Sequence, residues 1–265
     1  MKVPAMLLAA GRGERMRPLT DATPKPLLCV QGQPLLQWLL HALAQGSASR
    51  AVINTAWLGE QIEAGFGSVF APSASKLSLP IRYSHEGRDF GGALETAGGI
   101  ARALPLLCPP DALTDNAGIF WLLAGDVFAP DFVFSPAAVA RFAASDKLAH
   151  IWLVPNPAHN PRGDFGLAPV SAAGVGLALN LPAEDGQPRY TYSTIGLYRK
   201  ALFEAPWCDI PPGNPQGAKT PLAPLLRKAM DNGLVSAELY AGRWTDVGTP
   251  ERLAQLNHLT PMDAA

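Results

Sequence analysis

The sequence predicts an α/β fold organised around a parallel-rich sheet, and three observations support this prediction. Strand-like apolar segments alternate with helical segments up to about residue 148, an order typical of parallel sheets covered by helices. The segment Ile119–Ala124 is continuously apolar, as expected of a strand buried on both faces. The chain has 265 residues, of which 48% are hydrophobic, so it can bury one substantial core. We therefore expect a single domain that covers residues 1–265.

The first half of the chain, about residues 1–148, contains the alternating elements. The predicted strands are Val3–Ala9, Ala51–Asn54, Ile81–Ser84 and Ile119–Ala124, and the predicted helices are Pro34–Gln45, Leu58–Phe66 and Leu94–Leu104. Pro34 suits a first helical position because no backbone donor is needed there, and Gly46 follows the end of the same helix.

The second half, about residues 149–265, has shorter strands separated by turn residues. The predicted strands are His150–Val154, Phe165–Pro169, Val175–Leu181, Tyr190–Leu197 and Val235–Tyr240, and the predicted helices are Pro221–Asn232 and Pro250–Leu259. Gly233 ends the first of these helices. The rhythm of the elements therefore changes at about residue 148, within one predicted domain.

Charge and cysteine content exclude several classes of function. The chain has 21 basic and 22 acidic residues, so it lacks the basic field that nucleic acid or an anionic membrane surface would favour. Its three cysteines form no Cys-x-x-Cys pair, which argues against a zinc site and suits a reducing compartment. The N-terminal apolar run is too short for a signal peptide, and no segment is long enough to span a membrane. We expect a soluble, cytoplasmic protein that binds neither nucleic acid nor membrane.

The most informative segment is a glycine-rich loop that directly follows the first strand. Gly11 and Gly13 leave backbone N–H groups accessible, because no side chain stands between them and an approaching phosphate. Arg15, Arg17 and Lys25 add positive charge nearby, and arginine can bind a phosphate through two parallel hydrogen bonds. The loop therefore predicts a binding site for a triphosphate.

Other glycine-loop motifs fit this segment less well. A dinucleotide-binding loop needs a third glycine where this chain has Met16, and Pro18 follows soon after. A P-loop ends in Gly-Lys-Ser or Gly-Lys-Thr, which the segment lacks. An ordinary turn with surface arginines is the remaining alternative, and the spacing of Arg15, Pro18-Leu19 and Pro24-Lys25-Pro26 argues against it.

These residues resemble the signature of the sugar-1-phosphate nucleotidylyltransferases, which join a nucleoside triphosphate to a sugar phosphate and release pyrophosphate. Three later motifs resemble the same family, namely Leu94–Gly99, Ala124–Val127 and Trp244–Thr249. The segments Asn54–Gly59, Asn156–Phe165 and Leu222–Arg227 resemble in particular the N-acetylmuramate α-1-phosphate uridylyltransferases of bacterial cell-wall recycling. The resemblance implies a Rossmann-like nucleotidyltransferase fold, with a mixed, mostly parallel central sheet and helices on both faces. It also implies a nucleotide-binding half over about residues 1–148 and a sugar-binding half over about residues 149–265.

Charge neutralisation is the main task of a site for this reaction. A phosphomonoester has its second pKa at about 6 and is therefore already a dianionic nucleophile at neutral pH. Catalysis then depends on bringing two anions together rather than on a general base. We expect Arg15 to hold the triphosphate and Lys25 to offset charge where the two phosphates meet. None of the five histidines is assigned a role.

Asp126 and Asp246 are the candidate ligands of a Mg²⁺ ion. Asp126 follows the strand Ile119–Ala124, at the carboxyl end where the active sites of open α/β sheets lie, and Mg²⁺ prefers carboxylate oxygens. Each aspartate could equally cap a turn, and the two lie far apart in the sequence. It is the family resemblance that makes them a metal pair.

The resemblance also implies which residues contact the two substrates. For the nucleotide they are Leu8, Ala9, Ala10, Gly11, Gly13, Glu86, Thr96 and Gly98, and for the sugar they are Asn156, Gly163, Asp164, Tyr192, Ser193 and Lys219. The Glu86 carboxylate could accept the N3–H of uracil or two donors of guanine, so it leaves UTP and GTP open, and a solvated loop acid is the alternative. Arg162 or Lys219 is the candidate cation for the lactyl carboxylate of N-acetylmuramate.

We therefore expect an enzyme that transfers UMP from UTP to N-acetylmuramate 1-phosphate with Mg²⁺, as a monomer or small homo-oligomer. A mannose-1-phosphate guanylyltransferase, or another sugar-1-phosphate nucleotidylyltransferase, is the alternative within the same chemistry. A non-catalytic, nucleotide-binding regulatory module is a more remote alternative, because Lys25, Asp126 and Asp246 are all present.

Overall fold

Most of the secondary structure belongs to one ten-stranded sheet and the helices on its two faces. The computed structural model describes residues 1–72, 76–109, 118–182 and 184–258. Its strands are β1 (Val3–Leu8), β2 (Cys29–Val30), β3 (Gln33–Pro34), β4 (Ala48–Thr55), β5 (Val69–Phe70), β6 (Leu79–His85), β7 (Ile119–Ala124), β8 (Val127–Phe128), β9 (Ala149–Val154), β10 (Phe165–Leu167), β11 (Val175–Leu179), β12 (Arg189–Arg199), β13 (Val235–Leu239) and β14 (Thr245–Asp246).

The helices are α1 (Leu19–Ala22), α2 (Leu35–Gln45), α3 (Gly59–Phe66), α4 (Glu86–Phe90), α5 (Glu95–Leu107), α6 (Pro136–Ala143), α7 (Leu222–Asp231) and α8 (Pro250–His258). Short 3-10 turns occupy Glu14–Met16, Lys25–Leu27 and Lys200–Phe203. Among the residues that the structure describes, no helix is long and apolar enough to cross a membrane.

The central sheet is mixed, as predicted, but the prediction that it is mostly parallel is wrong. Four of its described strand pairings are parallel and six are antiparallel, because β5 and most strands of the second half join it through antiparallel pairs. Its strands follow the order β10-β11-β13-β9-β12-β7-β1-β4-β6-β5. Parallel pairs dominate the first half of the chain, where β1 lies between β4 and β7 and β4 also pairs with β6. In the second half only β9 and β13 are parallel, and the other pairs are antiparallel. The carboxyl ends of β1 and β7 therefore lie side by side.

Strand β12 joins the two halves of the chain. It pairs with β7 of the first half and with β9 of the second half, both antiparallel. The pairing with β9 shifts between Tyr192 and Gly196, where β12 advances four positions while β9 advances two. Strand β10 pairs with β12 as well as with β11, so β10, β11, β13, β9 and β12 form a closed ring of pairings.

The sheet separates two hydrophobic clusters because alternate side chains of each strand point to opposite faces. In β7, for example, Trp121 belongs to one cluster and Leu122 to the other. Helices α2, α3 and α6 contribute to the first cluster, and α5 and α7 to the second. A third, smaller cluster packs Leu253 and Leu256 of α8 against Met16 of the glycine-rich loop. The C-terminal helix thus supports the loop that follows β1.

Each helix and strand predicted above is present, with ends that differ by a few residues. The last predicted residue of α8, Leu259, lies outside the described residues. Helix α6 was not predicted, although its eight residues begin at Pro136 after a Ser135 cap and bury Ala138, Val139 and Phe142 on one face. The other elements that were not predicted are short, such as α4, β8 and β14. These are too short to show a hydrophobic period, and their positions depend on tertiary contacts.

Candidate active site

The glycine-rich loop opens into a cavity of about 410 Å³, called cavity A here, at the carboxyl ends of β1 and β7. Ten of the residues expected at the nucleotide, in catalysis or at the metal line it: Leu8, Ala9, Ala10, Gly11, Gly13, Arg15, Lys25, Glu86, Thr96 and Asp126. The fold therefore gathers most of the predicted nucleotide site around one opening.

The three arginines of the loop have different surroundings. Arg12 stacks on Trp57, with its Cζ 3.6 Å from the ring centroid, and donates to the Thr20 carbonyl at 2.8 Å. Arg17 donates to the Asp21 carboxylate at 2.8 Å. Arg15 is exposed at cavity A, and within the described part of the chain no hydrogen bond or ion pair holds its guanidinium. Of the three, Arg15 alone is thus available to a ligand.

The two glycines of the loop are required for different reasons. A Cβ added to Gly11 would meet no atom within 4 Å, so this backbone faces open space. Gly13 has a φ of +68°, a left-handed conformation that most residues adopt only with strain. The Thr20 hydroxyl donates to the Gly13 carbonyl at 2.8 Å and holds the turn. Gly11 leaves room for a ligand, whereas Gly13 lets the chain turn.

Glu86 is fully buried and holds three parts of the cavity wall together. One carboxylate oxygen accepts from the Asn54 amide at 2.6 Å, and the other accepts from the Leu94 backbone N–H at 2.7 Å. The Asn54 carbonyl oxygen in turn accepts from the Ala9 N–H at 2.7 Å. Burial raises the pKa of Glu86, while the hydrogen bonds that its carboxylate accepts from Leu94 and Asn54 oppose that shift. The alternative of a solvated loop acid is therefore wrong.

Asp126 and Asp246 are brought together by the pairing of β8 with β14. In this pair Asp246 lies opposite Val127, and the Val247 N–H donates to the Asp126 carbonyl at 2.9 Å. The Asp126 carboxylate forms a short ion pair with the Lys25 ammonium. The backbone of Asp246 is thus adjacent to that of Asp126, although only Asp126 lines cavity A.

The Asp246 carboxylate has two basic neighbours. Arg252 Nη1 lies 2.6 Å from Oδ2, and His159 Nε2 lies 2.9 Å from Oδ1, an ion pair only when that nitrogen is protonated. Oδ1 is buried and accepts no hydrogen bond in the described part of the chain. An aspartate on β14 and another directly before its partner strand β8 suit a Mg²⁺ site that takes its remaining ligands from water and phosphate.

A second cavity of about 410 Å³, called cavity B here, lies next to cavity A. It is lined by Leu8, Thr96, Leu122, Ala124, Asp164, Phe165, Tyr192, Thr194, Pro221, Leu222, Ala223, Leu226 and Arg227. Leu8, Thr96 and Ala124 also line cavity A. Of the residues expected at the sugar, Asp164 and Tyr192 lie here. The two cavities therefore share a wall at the ends of β1 and β7.

The other residues expected at the substrates lie outside both linings. Gly98 packs under the loop that contains Ala218, and Ser193 is buried with its hydroxyl donating to the Trp152 carbonyl at 2.7 Å. Asn156 donates to the Arg189 carbonyl at 2.9 Å, beside Gly163. Lys219 and Arg162 are exposed, and neither lines cavity A or cavity B. Gly98, Asn156, Gly163 and Ser193 thus have structural contacts that their sequence motifs did not reveal.

Thr194 lines cavity B with a strained backbone. Its φ is +61°, which is rare for a β-branched residue and costs about 1–3 kcal/mol. It stands within the shifted segment between Tyr192 and Gly196, where β12 departs from β9. Strain of this kind is often found at binding sites.

Sequence reasoning missed several residues that the structure brings to the site. Asn54, Arg227 and Thr194 belong to segments that were singled out, but nothing in their local pattern assigned them a role. His159 and Arg252 reach Asp246 from a loop and from α8. The one feature of the sequence that could have suggested a contact is the position of Arg252, six residues after Asp246. Long-range contacts of this type have no local pattern.

Comparisons with known proteins agree with this architecture. The model of the nucleotidyl transferase family matches residues 4–261. The chain is 43% identical to N-acetylmuramate alpha-1-phosphate uridylyltransferase of Neisseria meningitidis, over 96% of this chain and 97% of that protein. It is 30% identical to mannose-1-phosphate guanylyltransferase of Mycobacterium tuberculosis, over 94% of this chain and 62% of that protein.

A solved structure, the UTP-bound UGPase of Acinetobacter baumannii, has the same fold. It superposes with a TM-score of 0.72 at 14% identity, over 97% of this chain and 92% of that one. The family model spans nearly the whole chain, and the glycine-rich loop, cavity A and the mixed sheet are present in the structure. The chain therefore belongs to the nucleotidyl transferase family.

Proposed function

We propose that this protein transfers UMP from UTP to N-acetylmuramate α-1-phosphate and releases pyrophosphate. The observation that carries the proposal is the shared wall of the two cavities at Leu8, Thr96 and Ala124. A triphosphate bound at the glycine-rich loop and a sugar phosphate in cavity B would meet there. The 43% identity to the Neisseria meningitidis uridylyltransferase favours this substrate pair.

The attacking group in this reaction needs no base from the protein. The sugar phosphate has its second pKa at about 6, so it is mostly dianionic at neutral pH. The residues of the site must instead orient two anions in line and reduce their repulsion. The backbone at Gly11 and the unpaired Arg15 guanidinium would hold the triphosphate. Pyrophosphate would leave on the side opposite to the entering sugar phosphate.

Lys25 would offset charge where the two phosphates meet. Its ammonium is paired with the Asp126 carboxylate and both residues line cavity A. A lysine held by a carboxylate keeps a fixed position and can still donate other N–H bonds to a phosphate oxygen. Asp126 would thus position Lys25 as well as serve as a metal ligand.

We propose that Asp126 and Asp246 hold Mg²⁺. The pairing of β8 with β14, which places Asp246 beside Asp126, supports this choice. When bound, the ion would supply positive charge to the phosphate oxygens. Arg252 and Lys25 neutralise these two carboxylates in the ion-free protein.

Cavity B suits a sugar that carries an anionic substituent. Asp164 offers carboxylate oxygens to sugar hydroxyls, although Oδ2 already accepts from the Tyr192 N–H at 2.8 Å. Arg227 is exposed and lines the cavity, whereas Arg162 and Lys219 do not. We therefore assign the lactyl carboxylate of N-acetylmuramate to Arg227, in place of Arg162 and Lys219.

We further propose that residues 1–265 act as one catalytic domain in the cytoplasm, in the recycling of cell-wall sugars. Strand β12 pairs with strands of both halves, which supports a single unit. The cytoplasm supplies the nucleoside triphosphate.

The test is pyrophosphate release with each triphosphate and a panel of sugar 1-phosphates. We expect the highest kcat/KM with UTP and N-acetylmuramate 1-phosphate. Arg227→Gln should lower kcat/KM for that sugar and leave N-acetylglucosamine 1-phosphate, which has no carboxylate, unchanged. Preference for GTP with mannose 1-phosphate would instead support the guanylyltransferase alternative, which the 30% identical relative represents.

A further inference from the structure

We propose that Thr194 determines sugar specificity, with its hydroxyl oxygen accepting a hydrogen bond from a hydroxyl or amide N–H group of the sugar 1-phosphate. The proposal rests on the proposed function, because it takes cavity B as the sugar site. Thr194 lines that cavity together with Asp164 and Tyr192.

The backbone of Thr194 is the first argument. A φ of +61° is readily adopted by glycine, whereas a β-branched side chain in this conformation is strained. At this position a threonine therefore makes the fold less stable than a glycine would. Its presence indicates a role of the side chain that compensates for this loss of stability. Residues in such conformations are concentrated at ligand sites, where the strain is part of the function.

The neighbours of Thr194 hold it in this conformation. The Ser193 hydroxyl donates to the Trp152 carbonyl at 2.7 Å and accepts from the Ile195 N–H at 3.2 Å. The Ser193 carbonyl accepts from the Trp244 indole at 3.0 Å. The residues on both sides of the bend are therefore fixed, and one of the contacts comes from the segment that leads to Asp246.

The hydrogen bonding of the Thr194 hydroxyl sets the type of ligand group. Oγ1 donates its hydrogen to the Ser193 carbonyl at 2.6 Å. A hydroxyl has one donor and two acceptor lone pairs, so the oxygen remains available only as an acceptor. Its partner must then be a donor on the ligand, and hydroxyl and acetamido groups are the donors that sugars offer. An acceptor in a cavity wall disfavours analogues that lack the matching donor.

Three variants separate the roles of hydroxyl, shape and strain. Thr194→Val removes the hydroxyl and should lower kcat/KM for the sugar 1-phosphate about 3- to 10-fold, the factor for one neutral hydrogen bond. The KM for UTP should stay unchanged. Thr194→Ser keeps the oxygen and should retain the sugar KM. Thr194→Gly removes both hydroxyl and strain, and we expect a Tm higher by about 2–4 °C with the same kinetic loss.

The control is Gln31→Gly. Gln31 also has a positive φ, of +51°, but lies in the hairpin between β2 and β3 and lines neither cavity. It should alter Tm without altering any KM. Deoxy and deacetylated analogues of the sugar 1-phosphate identify the group that Thr194 binds. For the analogue that lacks this group, Thr194→Val should cause no further loss of kcat/KM.

Unchanged sugar kinetics in both Thr194→Val and Thr194→Gly would overturn the proposal. Equal loss for UTP and sugar would also overturn it, since that pattern indicates general damage to the fold. If the wild-type protein released no pyrophosphate with any sugar 1-phosphate, the proposed function would fail first. A wild-type enzyme that is active, with Thr194 variants that match it, would refute only the inference.

Discussion

At the scale of single residues, the structure distinguishes side chains that the sequence presents as equivalent. Arg12, Arg15 and Arg17 lie within one loop and carry the same charge. Arg12 is stacked on Trp57, and Arg17 is paired with Asp21. Only contacts with distant residues separate the arginine that is free to bind a ligand from the two that support the loop.

Arg15→Ala should therefore lower kcat/KM about 10²–10³-fold, the usual effect of losing one preorganised electrostatic contact. The Tm should not change, because the Arg15 side chain makes no contact that stabilises the described structure. Steady-state rates and a thermal melt measure both quantities. Arg17→Ala is the matched control and should retain activity, since exposed ion pairs contribute little. Equal losses in both variants would contradict the assignment of Arg15.

Asp126→Asn and Asp246→Asn should each nearly abolish turnover. Both changes keep the size of the side chain and remove the charge that Mg²⁺ requires. Excess Mg²⁺ should restore part of the rate, and calorimetry should show weaker Mg²⁺ binding in the presence of nucleotide. Asp146→Asn, at an exposed site, is the control. Full activity of the wild-type protein in a chelator would refute the metal role.

The sequence predicted individual site residues better than their contacts. The glycine-rich loop and Asp126 follow strands β1 and β7, which accounts for their position at cavity A. Glu86 lines the same cavity. Its hydrogen bonds to Asn54 and Leu94 join separate elements, and no local pattern encodes them. No sequence pattern predicted the positive φ of Thr194 either, because glycine is the residue that usually indicates such a backbone conformation.

At the scale of elements, the N-terminal part of α5 is positioned by a loop from the second half. The N–H groups of Ala97 and Gly98 donate to the Thr220 carbonyl at 2.9 and 3.1 Å. The Asn214 amide donates to the Gly98 carbonyl at 3.1 Å. This loop leads directly into Pro221 and Leu222 of cavity B, so the packing of α5 sets the position of one cavity wall.

Gly98→Ala should destabilise the protein by about 1–3 kcal/mol, the usual cost of overpacking. An added Cβ would lie 2.3 Å from the Ala218 carbonyl oxygen. Relieving this overlap would require the backbone at Ala218 to move. Urea unfolding measures the change, and the sugar KM should rise with the displaced loop. Gly92→Ala is the control, because a Cβ there meets nothing within 4 Å. A more stable Gly98→Ala protein, as helix propensity alone would give, would contradict the close approach.

Most of the strongly periodic elements were predictable, with α6 as the exception, and the two-residue strands were not. α2 has apolar positions at helical spacing and ends at a glycine, so its bounds agree with the prediction within one residue. β8 and β14 have two residues each and form only because they pair with one another. Their position follows from the whole fold, which is why the convergence of Asp126 and Asp246 could be expected but not shown from the sequence.

At the scale of the whole molecule, the two halves of the chain share a sheet and a core. Strand β12 pairs with β7 and β9, and Trp121 of β7 packs against Trp152 of β9 with ring centroids 5.2 Å apart. Neither half could keep this cluster buried without the other. The predicted boundary at about residue 148 therefore runs through a shared sheet and core.

We accordingly expect the chain to unfold in a single transition. Far-UV circular dichroism and tryptophan fluorescence should give the same midpoint in urea, because secondary structure and the Trp121–Trp152 contact are lost together. Trp121→Phe should shift both curves equally. Two transitions with different midpoints would show that the halves are separate domains.

The closed ring of strand pairings has a consequence for self-association. An unpaired strand edge is a template to which another chain can add a strand, which is a common route to aggregates. At one end of the ten-stranded sheet, β10 has partners on both sides, β11 and β12. At the other end, β5 is two residues long and pairs only with Leu79 and Pro80 of β6, so the following residues of β6 have a strand partner, β4, on one side only among the described strands. The ring should therefore protect the β10 end of the sheet from edge-to-edge association, and β6 is the edge at which a second chain could add a strand.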